Sequence, residues 1–110
     1  CERNNLTLLK NKTLDKATEV HSSGPDTVLF GVKLNFGYCF MLEGNKNSNI
    51  NFAPIFYEGT FGHAGIGGSV AFGDRKNKLS YSFVCNKQQG SKDLYKTSNM
   101  LTKALYDSIN

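Results

Sequence analysis

The chain has 110 residues, a formal net charge of +4 and a hydrophobic content of 39%, which suit one small domain over residues 1–110. No apolar run approaches the roughly 20 residues of a membrane-spanning helix. The lysines are scattered, which disfavours a nucleic-acid surface. Three widely spaced cysteines argue against a disulfide framework and a metal site, so we expect no metal and no cofactor. Cys39 and Cys85 lie in apolar runs and are expected to be buried thiols.

The first half of the chain contains one predicted helix and one predicted strand. Asn11 is a candidate N-cap, and apolar residues follow it at helical spacing, so we predict a helix over roughly 12–20. The polar segment 22–26 contains glycine and proline and predicts a break. Residues 34–42 alternate with a period of two, which is typical of a strand. The Asn-rich and Gly-rich segment 43–51 predicts a surface loop.

The second half contains two further predicted strands and a long helix. One strand begins at 60–62, runs into a glycine-rich stretch and continues through 69–72. Residues 73–78 predict a turn, and residues 79–84 alternate again as a third strand. Because the link between 69–72 and 79–84 is short and polar, these two segments should form an antiparallel hairpin.

The predicted C-terminal helix runs from Asp93 to Ile109. It carries one apolar stripe, formed by Leu94, Thr97, Leu101, Leu105 and Ile109 and widened by Met100, Ala104 and Tyr106. The order helix, strands, helix indicates an α+β fold, in which an antiparallel sheet of about three strands packs against this helix. Such a sheet leaves an edge open, so self-association or a partner chain at that edge is expected.

Residues 61–72 are the most unusual part of the sequence, because four glycines and a histidine interrupt a strand-like run. Clustered glycines in a strand indicate that another group approaches the backbone closely. A phosphate-binding loop is disfavoured, since Gly68 stands where the lysine of that motif belongs and a strand follows instead of a helix. Two hypotheses remain. The glycines either permit a bulge or close packing, with His63 an ordinary polar residue, or they form a strand that faces a ligand.

The segment FGHAGIGGSVAFGD at residues 61–74, followed by KLSYSFVCNK at 78–87, resembles the C-terminal part of the serine β-lactamase-like family. This family includes penicillin-binding proteins, class C β-lactamases and related esterases. The most similar pattern is that of its β-lactamase domain-containing branch, in which the strand reads F-G-H-x-G-x-G-G-S. The resemblance spans most of residues 5–107 and implies that the sheet and helix are a fragment of the β-lactamase/transpeptidase-like fold.

The resemblance implies a role for each residue of the segment. His63, Ala64 and Gly65 take the place of the family's third motif, usually K-T-G, so His63 would face the substrate and the nucleophile. Gly65 would leave the strand bare for a carbonyl substrate, and the backbone N–H of Ile66 would be one of two oxyanion donors. The candidate catalytic groups are thus His63 and Ile66, and the candidate substrate-binding residues are 63–66. Gly67 and Gly68 would let the backbone behind them pack tightly.

Two other motifs of the family, the nucleophilic S-x-x-K and the Y-x-N, do not occur in the sequence. Both precede the third motif in the family. We therefore expect the chain to be the C-terminal portion of a larger hydrolase and to be inactive alone. Its expected partners are the N-terminal part of the same protein and a small ester, amide or β-lactam-like substrate. The alternative is a non-catalytic binding or structural module that retains the scaffold.

Overall fold

A computed structural model describes residues 2–3, 6–43 and 53–110 of the chain. Within these residues, six strands form one antiparallel sheet whose strand order follows the sequence. A separate pair of short strands, β1 (Glu2–Arg3) and β2 (Leu6–Thr7), lies at the N-terminal end. The strands of the main sheet are β3 (Ser22–Asp26), β4 (Val32–Phe36), β5 (Met41–Leu42), β6 (Thr60–Ala64), β7 (Val70–Asp74) and β8 (Leu79–Phe83).

Two helices flank the strands, α1 (Asn11–Ala17) and α2 (Lys96–Ile109), and a 3₁₀ turn at Ser91–Asp93 precedes α2. The predicted α+β class and the C-terminal helix are confirmed. The sheet has twice the expected number of strands, and β3 and β8 form its edges. Among the described residues, no helix is both long enough and apolar enough to cross a bilayer.

The segment 22–26 was predicted to break the chain, and this prediction is wrong, because it forms the edge strand β3. Each of its residues pairs with β4, from Ser22 opposite Phe36 to Asp26 opposite Val32. Proline lacks an N–H and is tolerated at a sheet edge, where one side of the strand needs no hydrogen bonds. Pairing with β4 therefore outweighs the local turn composition.

The predicted strand 34–42 is in fact two strands joined by a tight turn. β4 ends at Phe36, and the Gly37 N–H donates a hydrogen bond to the Phe40 carbonyl at 2.9 Å. Cys39 in this turn adopts a left-handed backbone with φ of 61° and is exposed, so the expectation that its thiol is buried is wrong. An alternating pattern continues through a short turn without interruption, which is why the sequence did not indicate it. The predicted loop 43–51 lies outside the described residues except for its first residue.

The glycine-rich stretch is a hairpin and not the interrupted strand that was predicted. β6 and β7 pair antiparallel, and residues 65–69 connect them. The Gly65 N–H donates to the Ser69 carbonyl at 2.9 Å, and the Gly68 N–H donates to the Gly65 carbonyl at 3.2 Å. Gly67 and Gly68 have φ of 125° and 105°, values that reverse the chain and that favour glycine.

The hairpin predicted between the last two strands is confirmed. β7 and β8 pair from Val70 opposite Phe83 to Asp74 opposite Leu79. The predicted turn 73–78 begins too early, because Gly73 and Asp74 still belong to β7. The strand is longer than expected because Asp74 is held by hydrogen bonds inside the fold.

Helix α1 differs from its prediction at both ends. Asn11 is its first residue and not its N-cap, because Lys10 takes that position without a side-chain hydrogen bond. The helix ends at Ala17 instead of residue 20. Directly after this end, the Thr18 hydroxyl donates a hydrogen bond to the Leu14 carbonyl at 2.9 Å. Leu14 is the buried residue of this helix.

Helix α2 buries a different face from the predicted apolar stripe. Its buried residues are Ser98, Asn99, Thr102 and Tyr106, whereas Leu101 and Ile109 are 44% and 45% exposed. Of the predicted stripe, only Leu94 and Tyr106 are buried. The buried Asn99 amide accepts a hydrogen bond from the Ile55 N–H and donates one to the Ala53 carbonyl. Hydrogen bonding thus decides which face is buried.

Two apolar clusters form the core on the α2 side of the sheet. One contains Val32, Leu34, Met41 and Ala53, and the other contains Val70, Phe72 and Tyr106. Phe56 and Ala64 pack against both clusters and join them. This continuous core fixes the central strands, whereas His63, Ala71 and Ser82 on the opposite face of β6–β8 are exposed.

Candidate functional site

His63 lies near the end of β6 on the face of the sheet that is turned away from the core. Its neighbour Ala64 packs into the core, and alternation along a strand therefore points His63 to the other side. In register, His63 lies opposite Ala71 on β7, and Ala71 lies opposite Ser82 on β8. All three residues are exposed. They form a row across the sheet, which we call the open row.

The His63 ring is oriented by a hydrogen bond of 2.8 Å between Nδ1 and the Ala64 carbonyl. A carbonyl oxygen only accepts hydrogen bonds, so Nδ1 must carry the proton. In the neutral ring, Nε2 is therefore the basic nitrogen. A ring held in this tautomer can accept a proton or a hydrogen bond from a group that approaches the open row.

Two clefts adjoin the open row, and His63, Ala71 and Ser82 line both. The larger one, which we call the aromatic cleft, has a volume of about 500 Å³ and is also lined by Cys39, Phe40, Phe61, Gly73 and Ser80. The rings of Phe40 and Phe61 meet edge to face with centroids 5.1 Å apart. Small residues on β7 and β8 leave the space above the strands empty. The two phenylalanine rings make the lining of this space largely apolar.

The smaller cleft, which we call the loop cleft, has a volume of about 340 Å³ and lies towards the glycine loop, residues 65–69. Ala64, Gly65 and Ser69 line it together with His63. A Cβ added to Gly65 would meet only Ser69 Cβ, at 3.8 Å, so the backbone is open on this side. The structure thus brings three of the four candidate binding residues to one cleft.

Ile66, the fourth candidate, lies at the tip of the glycine loop. Its side chain is 79% exposed, and it lines neither of the two clefts. The structure therefore does not bring Ile66 to either cleft, and the role that the resemblance implies for its backbone N–H stays a proposal.

The back of the glycine loop packs tightly against the segment that leads into α2. A Cβ on Gly68 would lie 2.5 Å from the Leu94 carbonyl oxygen, and one on Gly67 would lie 2.9 Å from Gln88 Cγ. The close packing expected behind these two glycines is confirmed. The structural hypothesis for the glycine cluster therefore accounts for Gly62, where an added Cβ would clash with the Ala71 carbonyl oxygen, and for Gly67 and Gly68, but not for Gly65.

Residues of the segment that joins β8 to α2 donate hydrogen bonds to two carbonyls of the loop. The Tyr95 hydroxyl donates to the Gly65 carbonyl at 3.2 Å. The Gly67 carbonyl accepts from the Cys85 thiol and from the Gln89 N–H, each at 3.0 Å. Cys85 is only half-buried, so its expected burial is not complete. Sequence reasoning missed these anchors, because they come from residues 18 or more positions further along the chain.

A buried polar pair lies on the other side of the sheet, where Asp74 at the end of β7 meets Tyr106 of α2. The Tyr106 hydroxyl donates to Asp74 Oδ2 at 2.6 Å, and the Asn77 backbone and side chain donate at 2.9 and 2.8 Å. Burial alone would raise the pKa of Asp74, but these hydrogen bonds favour the charged form more strongly and hold the pKa below its ordinary value of 3.8. Burial, followed by the bond to Asp74, raises the pKa of Tyr106. The pair fastens α2 to the sheet.

Within the part of the chain that the structure describes, no three His, Cys, Asp or Glu side chains come together as metal ligands. Comparison of the sequence with protein-family models finds no matching family, and comparison with curated proteins finds no significant match. The function is therefore argued from the open row, the two clefts and the glycine loop.

Proposed function

We propose that this chain is the C-terminal part of a β-lactamase-like serine hydrolase that works through an acyl-enzyme. In this proposal the chain supplies one wall of the active site. The observation that carries it is the position of His63, exposed on the open face of β6 at the boundary of two clefts and two residues before the glycine loop.

In the proposed mechanism, His63 acts through its Nε2 atom. The Nδ1 bond to the Ala64 carbonyl orients the ring and assigns the proton, so Nε2 is available to hydrogen-bond the substrate or to take part in proton transfer. The imidazole takes the place of the lysine of the family's third motif.

The Ile66 N–H is the proposed oxyanion donor of this wall. Such a donor stabilises the tetrahedral transition state by about 3 kcal/mol when it points at the developing charge. Gly65, which has open space at its Cβ position, lets the carbonyl group of the substrate lie close to the strand. The nucleophilic serine and its lysine belong to polypeptide outside this sequence, since no S-x-x-K occurs in it.

The proposed substrates are small esters, amides or β-lactam-like molecules. The aromatic cleft beside His63 is lined by Phe40 and Phe61 and suits an apolar group of such a substrate. Ser80 and Ser82 supply hydroxyl groups at the cleft floor, which can orient a polar substituent.

The test is covalent labelling of the full product of the gene with a fluorophosphonate and with a penicillin, followed by peptide mapping. We expect a labelled serine in an S-x-x-K motif N-terminal to Cys1 and none within these 110 residues. His63→Ala should slow the labelling by at least about tenfold. The matched control is His21→Ala, because His21 is the other histidine of the chain and lines neither cleft.

A labelled serine within the 110 residues would contradict the proposal, as would equal effects of the two histidine variants. The absence of any labelled serine would favour the non-catalytic module. That alternative draws on the exposed apolar side chains of α2, which include Met100, Leu101 and Ile109 and offer a surface for another protein segment.

A further inference from the structure

The Gly65 carbonyl is held from two directions. The Tyr95 hydroxyl donates to it at 3.2 Å from the start of α2, and the Gly68 N–H donates to it at 3.2 Å from within the turn. Tyr95 is only 2% exposed, and this burial raises the pKa of its hydroxyl, which therefore stays protonated as a donor at physiological pH. The carbonyl direction is thus fixed by one bond inside the loop and one from outside it.

The direction of this carbonyl also fixes the direction of the Ile66 N–H. The two groups belong to one peptide unit, and no cis peptide bond occurs in the described chain. In a trans peptide the C=O and the N–H point in opposite directions. The Ile66 N–H is therefore aimed away from Tyr95 and away from the interior of the turn.

A second anchor, two residues further along, limits rotation of the rest of the loop. The Gly67 carbonyl accepts from the Cys85 thiol and from the Gln89 N–H. Both donors lie, like Tyr95, in the segment that joins β8 to α2. With its carbonyls bound from behind, the loop presents its amide at Ile66 to the opposite side.

We propose that Tyr95 is a positioning residue, which holds the Gly65–Ile66 peptide so that the Ile66 N–H is directed towards the substrate side. The inference rests on the proposed function, in which that N–H is an oxyanion donor. If this peptide rotated, a carbonyl oxygen would replace the N–H and would repel a developing negative charge. An orientation set in advance is what makes such a donor effective, since no reorganisation is then needed during the reaction.

The test is Tyr95→Phe, measured by the ¹⁵N–¹H residual dipolar coupling of Ile66 in the 110-residue chain. This variant keeps the ring and removes only the hydroxyl. We expect the Ile66 coupling to change while the couplings of β7 and β8 stay as in the wild type. A purely stabilising role of Tyr95 would not rotate this one N–H.

The matched control is Tyr106→Phe, which removes the hydroxyl of a second buried tyrosine that binds Asp74 and not the loop. It should leave the Ile66 coupling unchanged. An unchanged coupling in Tyr95→Phe, or the same change in both variants, would overturn the inference. The wild-type chain gives an independent check. If its measured Ile66 N–H direction is not opposite to that of the bound Gly65 carbonyl, the inference is overturned without any variant.

A kinetic measurement on the full product of the gene separates this inference from the proposed function. There, Tyr95→Phe should lower kcat for acylation about tenfold and leave KM unchanged, because a donor that acts only in the transition state is disturbed. A changed Ile66 coupling together with no acylation of the wild type would contradict the proposed function alone. Normal acylation of the variant with an unchanged coupling would contradict the positioning role alone.

Discussion

The two faces of strands β6–β8 follow the same alternation but differ in what they carry. The face towards α2 holds large side chains such as Phe72, which is buried against Tyr106, whereas the opposite face holds His63, Ala71 and Ser82, which are exposed. The packed face fixes the strands, and the open face uses small residues to leave clefts beside His63. Stability and the candidate chemistry are therefore carried by alternate residues of the same strands.

The glycine loop shows the same division over five residues. Its back, at Gly67 and Gly68, is packed against the segment before α2, and its front, at Gly65 and Ile66, is open. One cluster of glycines therefore serves two purposes. The following changes test this division by their effect on the free energy of unfolding.

The largest effect is expected from Gly68→Ala. The new Cβ would lie 2.5 Å from the Leu94 carbonyl oxygen, at a φ of 105° that strains any other residue. We expect a loss of about 2–4 kcal/mol in the free energy of unfolding, measured by urea denaturation. The matched control is Gly65→Ala, which meets no close neighbour and should change stability by less than about 0.5 kcal/mol. Equal losses would contradict the division of the loop into back and front.

Tyr106→Phe should cost less, about 1–3 kcal/mol, because it removes one donor from the buried Asp74 carboxylate. The remaining bonds from Asn77 keep part of that charge satisfied. The control is Tyr38→Phe, because this tyrosine is exposed and its hydroxyl should contribute less than about 0.5 kcal/mol. Similar values for both variants in urea denaturation would show that the polar pair does not fasten α2.

The contribution of the buried Asp74–Tyr106 pair to stability should depend on pH. The pKa of Asp74 is lowered in the folded state, so its charged form stabilises the fold above the ordinary value of 3.8, and this contribution is lost as the pH falls through the lowered pKa. Asp74→Asn should therefore be less stable than the wild type at pH 7, and the difference should shrink below about pH 4. Urea denaturation at several pH values measures both. If the difference in the free energy of unfolding between the wild type and Asp74→Asn stays constant down to pH 2, the charge of Asp74 is not its source.

The smallest effect on stability is expected from His63→Ala, less than about 0.5 kcal/mol, because His63 is exposed. The variant should nevertheless lose function as described above. A loss of stability as large as that of Tyr106→Phe would instead make His63 a structural residue, and the open face would then belong to the fold and not to the site.

Much of the fold could be predicted from short sequence patterns. The alternation at 79–84 located β8, and helical spacing located α2, because both depend on neighbours within a few residues. The strand β3 could not be predicted, since its glycine and proline indicate a turn and only pairing with β4 makes it a strand. The buried face of α2 was missed for a similar reason, because the partners of Asn99 lie more than 40 residues earlier in the chain.

The candidate site was predictable in part. The sequence identified His63 and the glycines as unusual, and alternation with the core residue Ala64 explains why the histidine is exposed. It did not indicate that Tyr95, 30 residues away, binds the Gly65 carbonyl, nor that the exposed Cys39 lies in the same cleft as His63. Such contacts depend on tertiary packing, which short patterns do not encode.

We propose that this chain supplies one oxyanion donor and one wall of an acyl-transfer site. A crystal structure of the full product of the gene, acylated by a fluorophosphonate or a penicillin, tests it most directly. We predict that the oxygen of the bound group that marks the oxyanion position lies about 2.7–3.1 Å from the Ile66 nitrogen, with His63 beside it. An acyl group whose oxygen lies beyond hydrogen-bonding distance of Ile66, or away from the open face of β6, would contradict the account.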